Sequence, residues 1–524
     1  MRPSGRRAGL AYTRRVPADL AIADHLDRPR GRGHMPAHAH TGAAGGAACG
    51  DLIRLSLAID PADPSGRIAD AGFDASGCAA AIAAGSAAVE LMRGAPLLEA
   101  ARVSAATIAA ELGGLIPAKR HAAELAADAL HRALGAAARA QANLAPVPER
   151  QLVAMSGGVD SAVVALLARE RSPDVVAVTL ELWADPMNDG ERSCCSAQAV
   201  RGARALAHDL GLPHLSIDLR AEFRAGVVDP WLADHAAGLT PNPCVRCNGF
   251  VRLDAMLELA RRLGASTLAT GHYARVRHHP PGEPAREGAR AGGENAAGEH
   301  GPLLRVAADP AKDQSYALAA LSPSSLERLR CPLGELTTPP VRARARRAGL
   351  AVARRADSQD LCFLAGTSQT DFLARHGEIH SRPGPVRDAA GERLGEHRGV
   401  RSVTVGQRRG LGVSGREPLY VLATDPAANT VTVGPRERLL SGGVAVRDVV
   451  MRRPAASVDA VKLRYRGRRL PCRVREPLPA GEHPAASIEL ARPAERTAPG
   501  QVACLYAGEL VVGHAIVCPP RPGP

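Results

Sequence analysis

The stretch that decides the fold is QLVAMSGGVDSAVVALLARE, residues 151–170. Its pattern predicts an apolar strand, a turn at two adjacent glycines and an amphipathic helix. Three segments continue the alternation: a strand DVVAVTLELW (174–183), a helix SAQAVRGARALAHDLGL (196–212) and a strand ASTLATGHYARV (265–276). Strands that alternate with helices predict a parallel, doubly wound α/β sheet, with its ligand site at the carboxyl ends of the strands.

The turn within this stretch, SGGVDS at 156–161, fits a phosphate cradle. Its glycines expose backbone N–H groups, and the helix that follows adds the positive end of its dipole. It is not a Walker loop, because G-x-x-x-x-G-K is absent. A tight strand–helix connection without a ligand is the plain alternative. The whole hexapeptide, however, resembles the SGGxDS pyrophosphate loop of enzymes that split ATP into AMP and pyrophosphate.

Composition limits the class of protein. The 45% apolar and 23% charged fractions exclude wholesale disorder and a fibrous architecture. A formal charge of +13 suggests a polyanionic partner, although high-GC codon usage would give a similar Arg-rich composition. The chain has only three lysines, Lys119, Lys312 and Lys462. The longest uncharged Ala-rich run, residues 75–89, is shorter than a membrane span. With no signal peptide recognised, we expect a cytoplasmic protein without membrane partners.

The length of 524 residues predicts about three to four domains. Alternating segments near the carboxyl end, such as PLYVLAT (418–424), NTVTVG (429–434) and RSVTV (401–405), predict strands there. Taken together with the family resemblances that the motifs described next carry, the predicted division is a disordered arm 1–20, an α+β domain 21–135, a linker 136–149, an ATP-binding catalytic domain 150–320 with a disordered insert 277–301, a central domain 321–395 and a β-barrel 396–524.

Eleven cysteines are too dilute for a disulfide scaffold. Two of them, Cys244 and Cys247, have C-x-x-C spacing within TPNPCVRCN. A zinc site, a pair of buried structural thiols and a reactive thiol are the competing interpretations. A reactive thiol needs a partner, and Cys362 in DSQDLCF is the natural one, since two sulfurs can relay a sulfur atom. The remaining thiols of residues 150–524 are predicted to be packing residues: Cys194, Cys195, Cys331, Cys472, Cys504 and Cys518.

Seven motifs occur in one characteristic order: SGGVDS at 156–161, TPNPCVRCN at 240–248, ATGHYAR at 269–275, KDQSYAL at 312–318, GQRRGLG at 406–412, KLRYRG at 462–467 and APGQ at 498–501. From about residue 150 to the end, the chain resembles the tRNA-uridine 2-sulfurtransferases, the 2-thiouridylases. The resemblance implies a Rossmann-like pyrophosphate-loop domain, a small central domain and a carboxyl-terminal β-barrel. It implies that the C2 oxygen of the wobble uridine is adenylated by ATP and that persulfide sulfur then displaces AMP.

Site residues follow from this resemblance by position. Cys247 corresponds to the nucleophile and Cys362 to the persulfide carrier. The ATP site, with Mg²⁺ expected, corresponds to Ala154, Met155, Ser156, Gly157, Gly158, Val159, Asp160, Ser161, Leu180 and Gly271. The tRNA contacts correspond to Asn242, Pro243, Cys244, Lys312, Asp313, Gln314, Arg464 and Tyr465.

Two positions depart from the family pattern. Ala154 stands where glycine is common, and Cys244 replaces an Asp found in many members. The second change leaves three thiols, those of Cys244, Cys247 and Cys362, that could hold an iron–sulfur cluster instead of relaying sulfur. Two of the three lysines lie inside the KDQSYAL and KLRYRG motifs, which indicates that a compact ammonium is needed there.

The amino-terminal third resembles the iron–sulfur cluster scaffold proteins of the NifU/IscU type. IADHLDRPRGRG (22–33), AACGDLIRLSLAID (47–60), ASGCAAAIAAGSAAVELMRG (75–94) and LIPAKRHAAELAADAL (115–130) carry this resemblance. Cys49, Asp51 and Cys78 match metal ligands by position, and Ala122 stands where the third cysteine would follow His121. Cys49, Asp51, Cys78 and His121 remain a possible ligand set for a cluster or zinc. A degenerate domain kept for docking is the alternative.

The sequence thus predicts an ATP-dependent tRNA 2-thiouridylase that receives sulfur from a donor such as a cysteine desulfurase. One rival is an iron–sulfur assembly or binding protein with a vestigial ATP domain. A ligase or amidating enzyme with the same loop is a second rival, but it would leave the paired cysteines unexplained.

Overall fold

A computed structural model describes residues 18–45, 50–185, 187, 196–277, 301–355, 361–413 and 417–519. The chain divides into two compact units. The first contains residues 1–145 and 211–217, and the second contains residues 146–210 and 218–524. The described residues include only the last three residues of the predicted arm 1–20. They also leave out nearly all of the predicted insert 277–301.

The first unit has an antiparallel sheet and helices, as its α+β prediction requires. Its elements are α1 (Ala18–Asp27), β1 (His40–Gly45), β2 (Leu52–Ile59), β3 (Ile68–Ser76), α2 (Ala79–Met92), α3 (Leu97–Ala100), α4 (Ala105–Glu111) and α5 (Arg120–Ala140). The sheet order is β1-β2-β3, with Leu55 opposite Phe73. Small side chains let α2 lie close to this sheet, since a Cβ on Gly85 would come within 2.4 Å of the Phe73 ring.

The predicted linker 136–149 is largely regular structure. Helix α5 continues to Ala140 because alanine is a strong helix former and this face is buried, with Ala137 and Ala138 fully enclosed. The first strand of the second unit begins at Val147. Only residues 141–146 connect the two elements, so the Ala/Pro composition overstated the length of the linker.

The second unit opens with the predicted α/β alternation. The elements to residue 377 are β4 (Val147–Ala154), α6 (Val159–Arg171), β5 (Val175–Glu181), α7 (Ala197–Asp209), β6 (His214–Asp218), α8 (Arg220–Phe223), α9 (Asp229–Ala236), α10 (Pro243–Cys247), α11 (Leu253–Arg262), β7 (Ala265–Ala269), β8 (Arg275–Arg277), β9 (Leu303–Arg305), α12 (Pro323–Arg328), β10 (Leu329–Arg330), α13 (Thr338–Arg347) and α14 (Gln369–Gly377). Residues 214–217 of β6 group with the first unit. Strand β4 pairs in parallel with β5 and β7, and β7 with β10. The predicted parallel sheet is confirmed.

A separate four-stranded sheet follows. It contains β11 (Gly384–Arg387), β12 (Arg393–His397), β13 (Tyr420–Asp425) and β14 (Thr430–Gly434), in the order β12-β11-β14-β13. The boundary predicted between residues 395 and 396 falls inside this sheet. The segment predicted as a strand at 401–405 instead begins within a 3-10 turn, Val400–Ser402, and its valines pack on the sheet without joining a ladder.

The last strands form a closed barrel. They are β15 (Leu440–Met451), β16 (Ala460–Lys462), β17 (Leu470–Val474), β18 (Gly481–Glu495), β19 (Val502–Ala507) and β20 (Leu510–Val517). The order β15-β18-β17-β16-β19-β20 closes because β15 also pairs with β20, and β9 and β8 extend from β20. This confirms the predicted barrel. Within the described residues, no helix is long and apolar enough to cross a bilayer.

Candidate active site

The SGGVDS turn joins β4 to α6 and is built by its own short side chains. Gly157 has φ +71°, a conformation that other residues adopt with strain. Ser161 Oγ accepts the Ser156 N–H at 3.1 Å and donates to the Gly158 carbonyl oxygen at 3.1 Å. Gly158 caps α6 without a side-chain bond, and the first turn of that helix forms the positive end of its dipole, where an anion is stabilised.

A second segment, 269–275, presses against the start of α6. A Cβ on Gly271 would lie 3.0 Å from Ser161 N and 3.2 Å from the Asp160 carbonyl carbon. Tyr273 donates its hydroxyl hydrogen to Asp160 Oδ1 at 3.1 Å. Glycine at 271 therefore allows an approach that positions the loop.

A cleft of about 640 Å³ opens beside this loop. Seven of the ten residues predicted for ATP line it: Ala154, Ser156, Gly158, Val159, Asp160, Ser161 and Gly271. Met155 and Leu180 line a neighbouring cavity instead, and Gly157 lines neither. The Gly157 carbonyl oxygen accepts a hydrogen bond from Arg355, a cleft residue that the sequence patterns did not single out.

The neighbouring cavity, of about 530 Å³, brings together two cysteines that are 115 positions apart in sequence. Cys247 and Cys362 both line it, Cys244 lines it as well, and none of the three is in a disulfide. This cavity and the cleft share a wall: Ser156, Arg252, His272, Gln314 and Tyr465 line both. A nucleobase bound at this wall would face the cleft on one side and the thiols on the other.

Cys247 is held at the end of α10, a helix whose start is set by the TPNP sequence. Asn242 caps it by accepting the Cys244 N–H at 3.0 Å and the Val245 N–H at 3.4 Å, and Pro243 is its first residue. Cys247 is 9% exposed, whereas Cys244 is exposed. A π-helical turn, Asn248–Arg252, follows directly, a feature often found at functional sites.

Cys362 is positioned by an aromatic cluster next to it. Phe363 is buried and lies 5.3 Å from the Trp231 ring, 5.2 Å from Phe372 and 6.5 Å from Trp183 between ring centroids. Phe223 completes the cluster at 6.0 Å from Phe363. Both tryptophans and three of the five phenylalanines of the chain thus meet beside one thiol. The sequence motif gave no sign of these partners.

Asp185 ties α14 to this cluster. Its carboxylate, 3% exposed, accepts hydrogen bonds from Arg375 at 2.9 Å and His376 at 3.0 Å. Burial alone raises the pKa of Asp185, but the Met187 N–H, His376 and Arg375 more than offset it, so the pKa is lowered overall.

His272 stands at the shared wall in its neutral form. Its Nδ1 lies 2.9 Å from Thr270 Oγ1, and Thr270 Oγ1 lies 3.7 Å from Cys331 Sγ. Burial and the nearby charge of Arg252 lower the pKa of His272 to about 3. The resemblance had named its neighbour Gly271 but not His272.

The predicted tRNA contacts have several distinct placements. Asn242, Pro243 and Cys244 line the thiol cavity, Lys312 and Asp313 line the cleft, and Gln314 and Tyr465 line both. Arg464 is exposed and lines neither.

Two of these side chains are engaged inside the protein. Asp313 accepts hydrogen bonds from Ala307 N at 3.1 Å and Ser315 Oγ at 2.9 Å, and pairs with buried Lys462 at 3.7 Å. Gln314 Oε1 accepts the Tyr273 N–H at 2.9 Å. Their observed contacts are therefore structural, and they support the loop of the cleft.

Three of the cysteines predicted as packing residues have raised thiol pKa values. Burial raises the pKa of the Cys331 thiol to about 11 and those of Cys472 and Cys504 to about 12. Such thiols stay protonated and unreactive near neutral pH. Cys518 is half-buried, and Cys194 and Cys195 lie outside the described residues.

The first unit contains a second candidate site. The ligand atoms of Asp51, Cys78 and His121 lie within 4.8 Å of one another. Asp51 accepts the Cys78 N–H at 2.8 Å, and its Oδ2 lies 2.9 Å from His121 Nε2. Gly77, at φ +127°, has no room for a Cβ, which would lie 2.0 Å from Asp51 Oδ1. The fourth predicted ligand, Cys49, lies outside the described residues.

This ligand set fits a metal by its chemistry. Sulfur, carboxylate and imidazole are all ordinary zinc ligands. His121 Nδ1 lies 3.0 Å from the Ala118 carbonyl oxygen, which orients Nε2 toward Asp51 and Cys78. Burial alone raises the pKa of Asp51, but hydrogen bonds from Cys78 and His121 lower it overall, so the carboxylate is ionised.

Four family models match the chain. They are the NifU-like N terminal domain over residues 19–143, the tRNA methyl transferase HUP domain over 149–366, the tRNA methyl transferase PRC-barrel domain over 370–435 and the aminomethyltransferase beta-barrel domain over 451–517. The HUP match includes both Cys247 and Cys362.

Some relatives match nearly the whole chain, and others match only its larger, carboxyl-terminal part. The "Bifunctional protein NifU/MnmA" of Rubrobacter xylanophilus is 40% identical over 512 residues, 95% of this chain and 97% of the relative. The "tRNA-specific 2-thiouridylase MnmA" of Magnetococcus marinus is 40% identical over 372 residues, 70% of this chain and 98% of the relative. That of Methylorubrum extorquens is 42% identical over 369 residues, covering 70% and 91%. The chain therefore belongs to the MnmA family of tRNA-specific 2-thiouridylases, in the form that carries a NifU-like domain at its amino terminus.

Proposed function

We propose that this protein thiolates the wobble uridine of tRNA at C2, with cleavage of ATP to AMP and pyrophosphate. The observation that carries the proposal is the shared wall between the cleft of the SGGVDS loop and the cavity of Cys247 and Cys362. If the C2 oxygen of uridine were adenylated at that wall, a sulfur nucleophile could reach C2 while the nucleoside stayed bound. A ligase would have no use for two distant thiols in one cavity.

Adenylation would use the loop and α6. The positive end of the α6 dipole would stabilise the negative charge of the leaving pyrophosphate, since a Walker lysine is absent. Mg²⁺ would neutralise the phosphates, and Asp160, a carboxylate on the cleft, is the ligand we propose for it. The C2 oxygen of uridine forms a bond to the α-phosphorus while the bond to the β-phosphate oxygen breaks.

Sulfur transfer would use the two thiols in sequence. A persulfide on Cys362, loaded by a sulfur donor protein, attacks C2 with its terminal sulfur, and AMP leaves with the C2 oxygen. The Cys247 thiolate then attacks the Cys362 sulfur of the resulting linkage, which forms a Cys247–Cys362 disulfide and leaves the transferred sulfur on C2. An external thiol reductant restores both cysteines.

Mass spectrometry of nucleosides tests the activity. Unmodified tRNA is incubated with the protein, ATP, Mg²⁺, a persulfide donor and a thiol reductant, and digested. We expect 2-thiouridine together with equal amounts of AMP and pyrophosphate. Formation of ADP as the main tRNA-dependent product, or thiolation without ATP, would refute the proposal.

Since the substrate would be tRNA, we propose the cytoplasm as the place of action.

The cysteine exposed at position 244 supports a second candidate chemistry. Cys244 lines the same cavity as Cys247 and Cys362. Three thiolates around one cavity are a ligand set for an iron–sulfur cluster that would carry the sulfur in place of a persulfide. A thiolation rate that rises and falls with the amount of bound iron would favour this candidate.

For the NifU-like unit we propose metal or cluster binding at Asp51, Cys78 and His121 and docking of a sulfur donor such as a cysteine desulfurase. A domain tethered to the thiolation unit raises the effective concentration of delivered sulfur. Metal analysis of the intact chain tests the binding: Cys78→Ser should lose the zinc or iron that the parent protein retains, and Cys518→Ser should not. Retention in Cys78→Ser would refute this site.

A further inference from the structure

The proposed reaction, on which this inference depends, requires a proton acceptor. As the C2 oxygen of uracil forms its bond to phosphorus, the N3–H bond must break and its electron pair must form the N3=C2 double bond. Without that loss the O-adenylate would carry a positive charge, which destabilises it. The acceptor must lie near N3, which adjoins C2.

The position of C2 limits the candidates. C2 has to meet the α-phosphate on one side and a thiol on the other, so the ring must occupy the boundary of the two cavities. Five described residues line both: Ser156, Arg252, His272, Gln314 and Tyr465. No described residue that lines the thiol cavity is Asp or Glu.

Four of the five are unsuited to accept a proton. The hydroxyl of Ser156 and the amide of Gln314 are not bases near neutral pH, and Arg252 is already protonated. Burial raises the pKa of Tyr465, so its phenol keeps its hydrogen. His272 alone combines a basic nitrogen with the neutral form.

The two nitrogens of His272 are in different environments. Nδ1 has a partner in Thr270 Oγ1 at 2.9 Å. Nε2 makes no hydrogen bond with any residue that the structure describes, and it belongs to a side chain that lines both cavities. When Nδ1 carries the hydrogen and donates it to Thr270, the lone pair of Nε2 is available to the cavity.

We propose that His272 Nε2 accepts the N3 proton of the target uracil during adenylation, with Thr270 as a positioning residue. Electrons and atoms balance: O2 bonds to phosphorus, pyrophosphate leaves, N3–H breaks and Nε2–H forms. When sulfur has replaced AMP, the imidazolium returns the proton to N3 and gives the thione. Its low pKa keeps the ring of free His272 unprotonated, but a general base works best with a pKa near the operating pH, so Nε2 has to become more basic when the substrates bind. The negative charge of bound ATP then favours the imidazolium that forms.

A substrate with a more acidic N3 separates this role from a structural one. In tRNA with 5-fluorouridine at the wobble position, the fluorine withdraws electrons and N3 loses its proton more easily. His272→Gln is compared with the parent protein on both tRNAs from pH 6.5 to 9.5, with tRNA-dependent AMP release as the readout. The charge of Arg252 acts on the ring, Thr270 lies between the ring and Cys331, and Cys244, Cys247, Cys362 and Tyr465 line the same cavity. All of these groups are common to both proteins.

We expect His272→Gln to slow AMP release on ordinary tRNA by about 100-fold or more at pH 7.5, the usual range for loss of a general base. The defect should shrink to below about 10-fold on 5-fluorouridine tRNA at pH 9. The exposed His380→Gln should match the parent on both. An equal defect on both tRNAs at every pH would overturn the proposal. A parent protein that releases no AMP with tRNA would instead refute the proposed function.

Discussion

Gly271→Ala tests whether the close approach of segment 269–275 to α6 holds the phosphate loop in place. The added Cβ would lie 3.0 Å from Ser161 N and 3.2 Å from the Asp160 carbonyl carbon. Both are backbone atoms in the first turn of a helix whose residues Val159 and Ala162 are buried, so no flexible side chain can move aside. The clash must be relieved by shifting the loop by a few tenths of an ångström.

The size of the effect follows from the cost of overpacking. Inserting a methyl group into a well-packed region typically costs ~1–3 kcal/mol. If the strain is relieved in the free protein and must be restored to bind nucleotide, the Kd for ATP rises roughly 5- to 150-fold, since about 1.4 kcal/mol is a factor of ten.

Calorimetric titration with an ATP analogue that cannot be cleaved between the α- and β-phosphates measures this Kd. Gly202→Ala is the matched control, because this exposed position in α7 has no other atom within 4 Å of an added Cβ. It should bind the analogue as the parent does. Affinity of Gly271→Ala within twofold of the parent would show that the approach does not position the loop.

Three shorter predictions accompany this one. Lys312→Ala, which removes a cation from the cleft, should lower the slope of log K for tRNA against log salt by about one unit, measured by filter binding at several salt concentrations. An unchanged slope would count against a phosphate contact. Cys244→Ser should keep most of the thiolation rate if Cys247 and Cys362 relay sulfur, whereas loss of activity together with bound iron would favour a cluster. The depressed pKa of Asp185 means that its contribution to stability is present above about pH 4 and is lost as the pH falls through the lower folded value. Asp185→Asn should remove about 2 kcal/mol at pH 7 and flatten that acid dependence, followed by tryptophan fluorescence of the cluster beside α14. A mutant as stable as the parent at pH 7 would contradict the role assigned to this carboxylate.

Local patterns were sufficient to predict the catalytic sheet. The strand at 151–154, the glycine turn and the helix α6 each follow from apolar spacing and from glycine at a left-handed position. The segments at 418–424 and 429–434 likewise became β13 and β14. Their counterpart at 401–405 did not, since its valines are half-buried against the sheet without a neighbouring strand for a ladder. Alternation predicts burial on one face but does not supply a hydrogen-bonding partner.

The site was predicted less completely because much of it depends on distant contacts. The C-x-x-C spacing and the motif order pointed to Cys247 and Cys362, which line one cavity, but not to the aromatic cluster beside Cys362. His272 lies within the ATGHYAR motif, yet its role depends on Arg252 and Thr270, and the charge of Arg252 acts on it only in the fold. Spacing along the chain cannot reveal such contacts.

The central claim is that Cys247 and Cys362 together transfer one sulfur atom to one carbon within one cavity. A single turnover with persulfide-loaded protein, ATP and tRNA, without reductant, followed by peptide mapping, tests it most directly. We expect one Cys247–Cys362 disulfide for each 2-thiouridine formed. Cys247→Ser and Cys362→Ser should each abolish thiolation while ATP binding persists, and Cys518→Ser should behave as the parent. Formation of 2-thiouridine without this disulfide, or by either of the first two variants, would contradict the account.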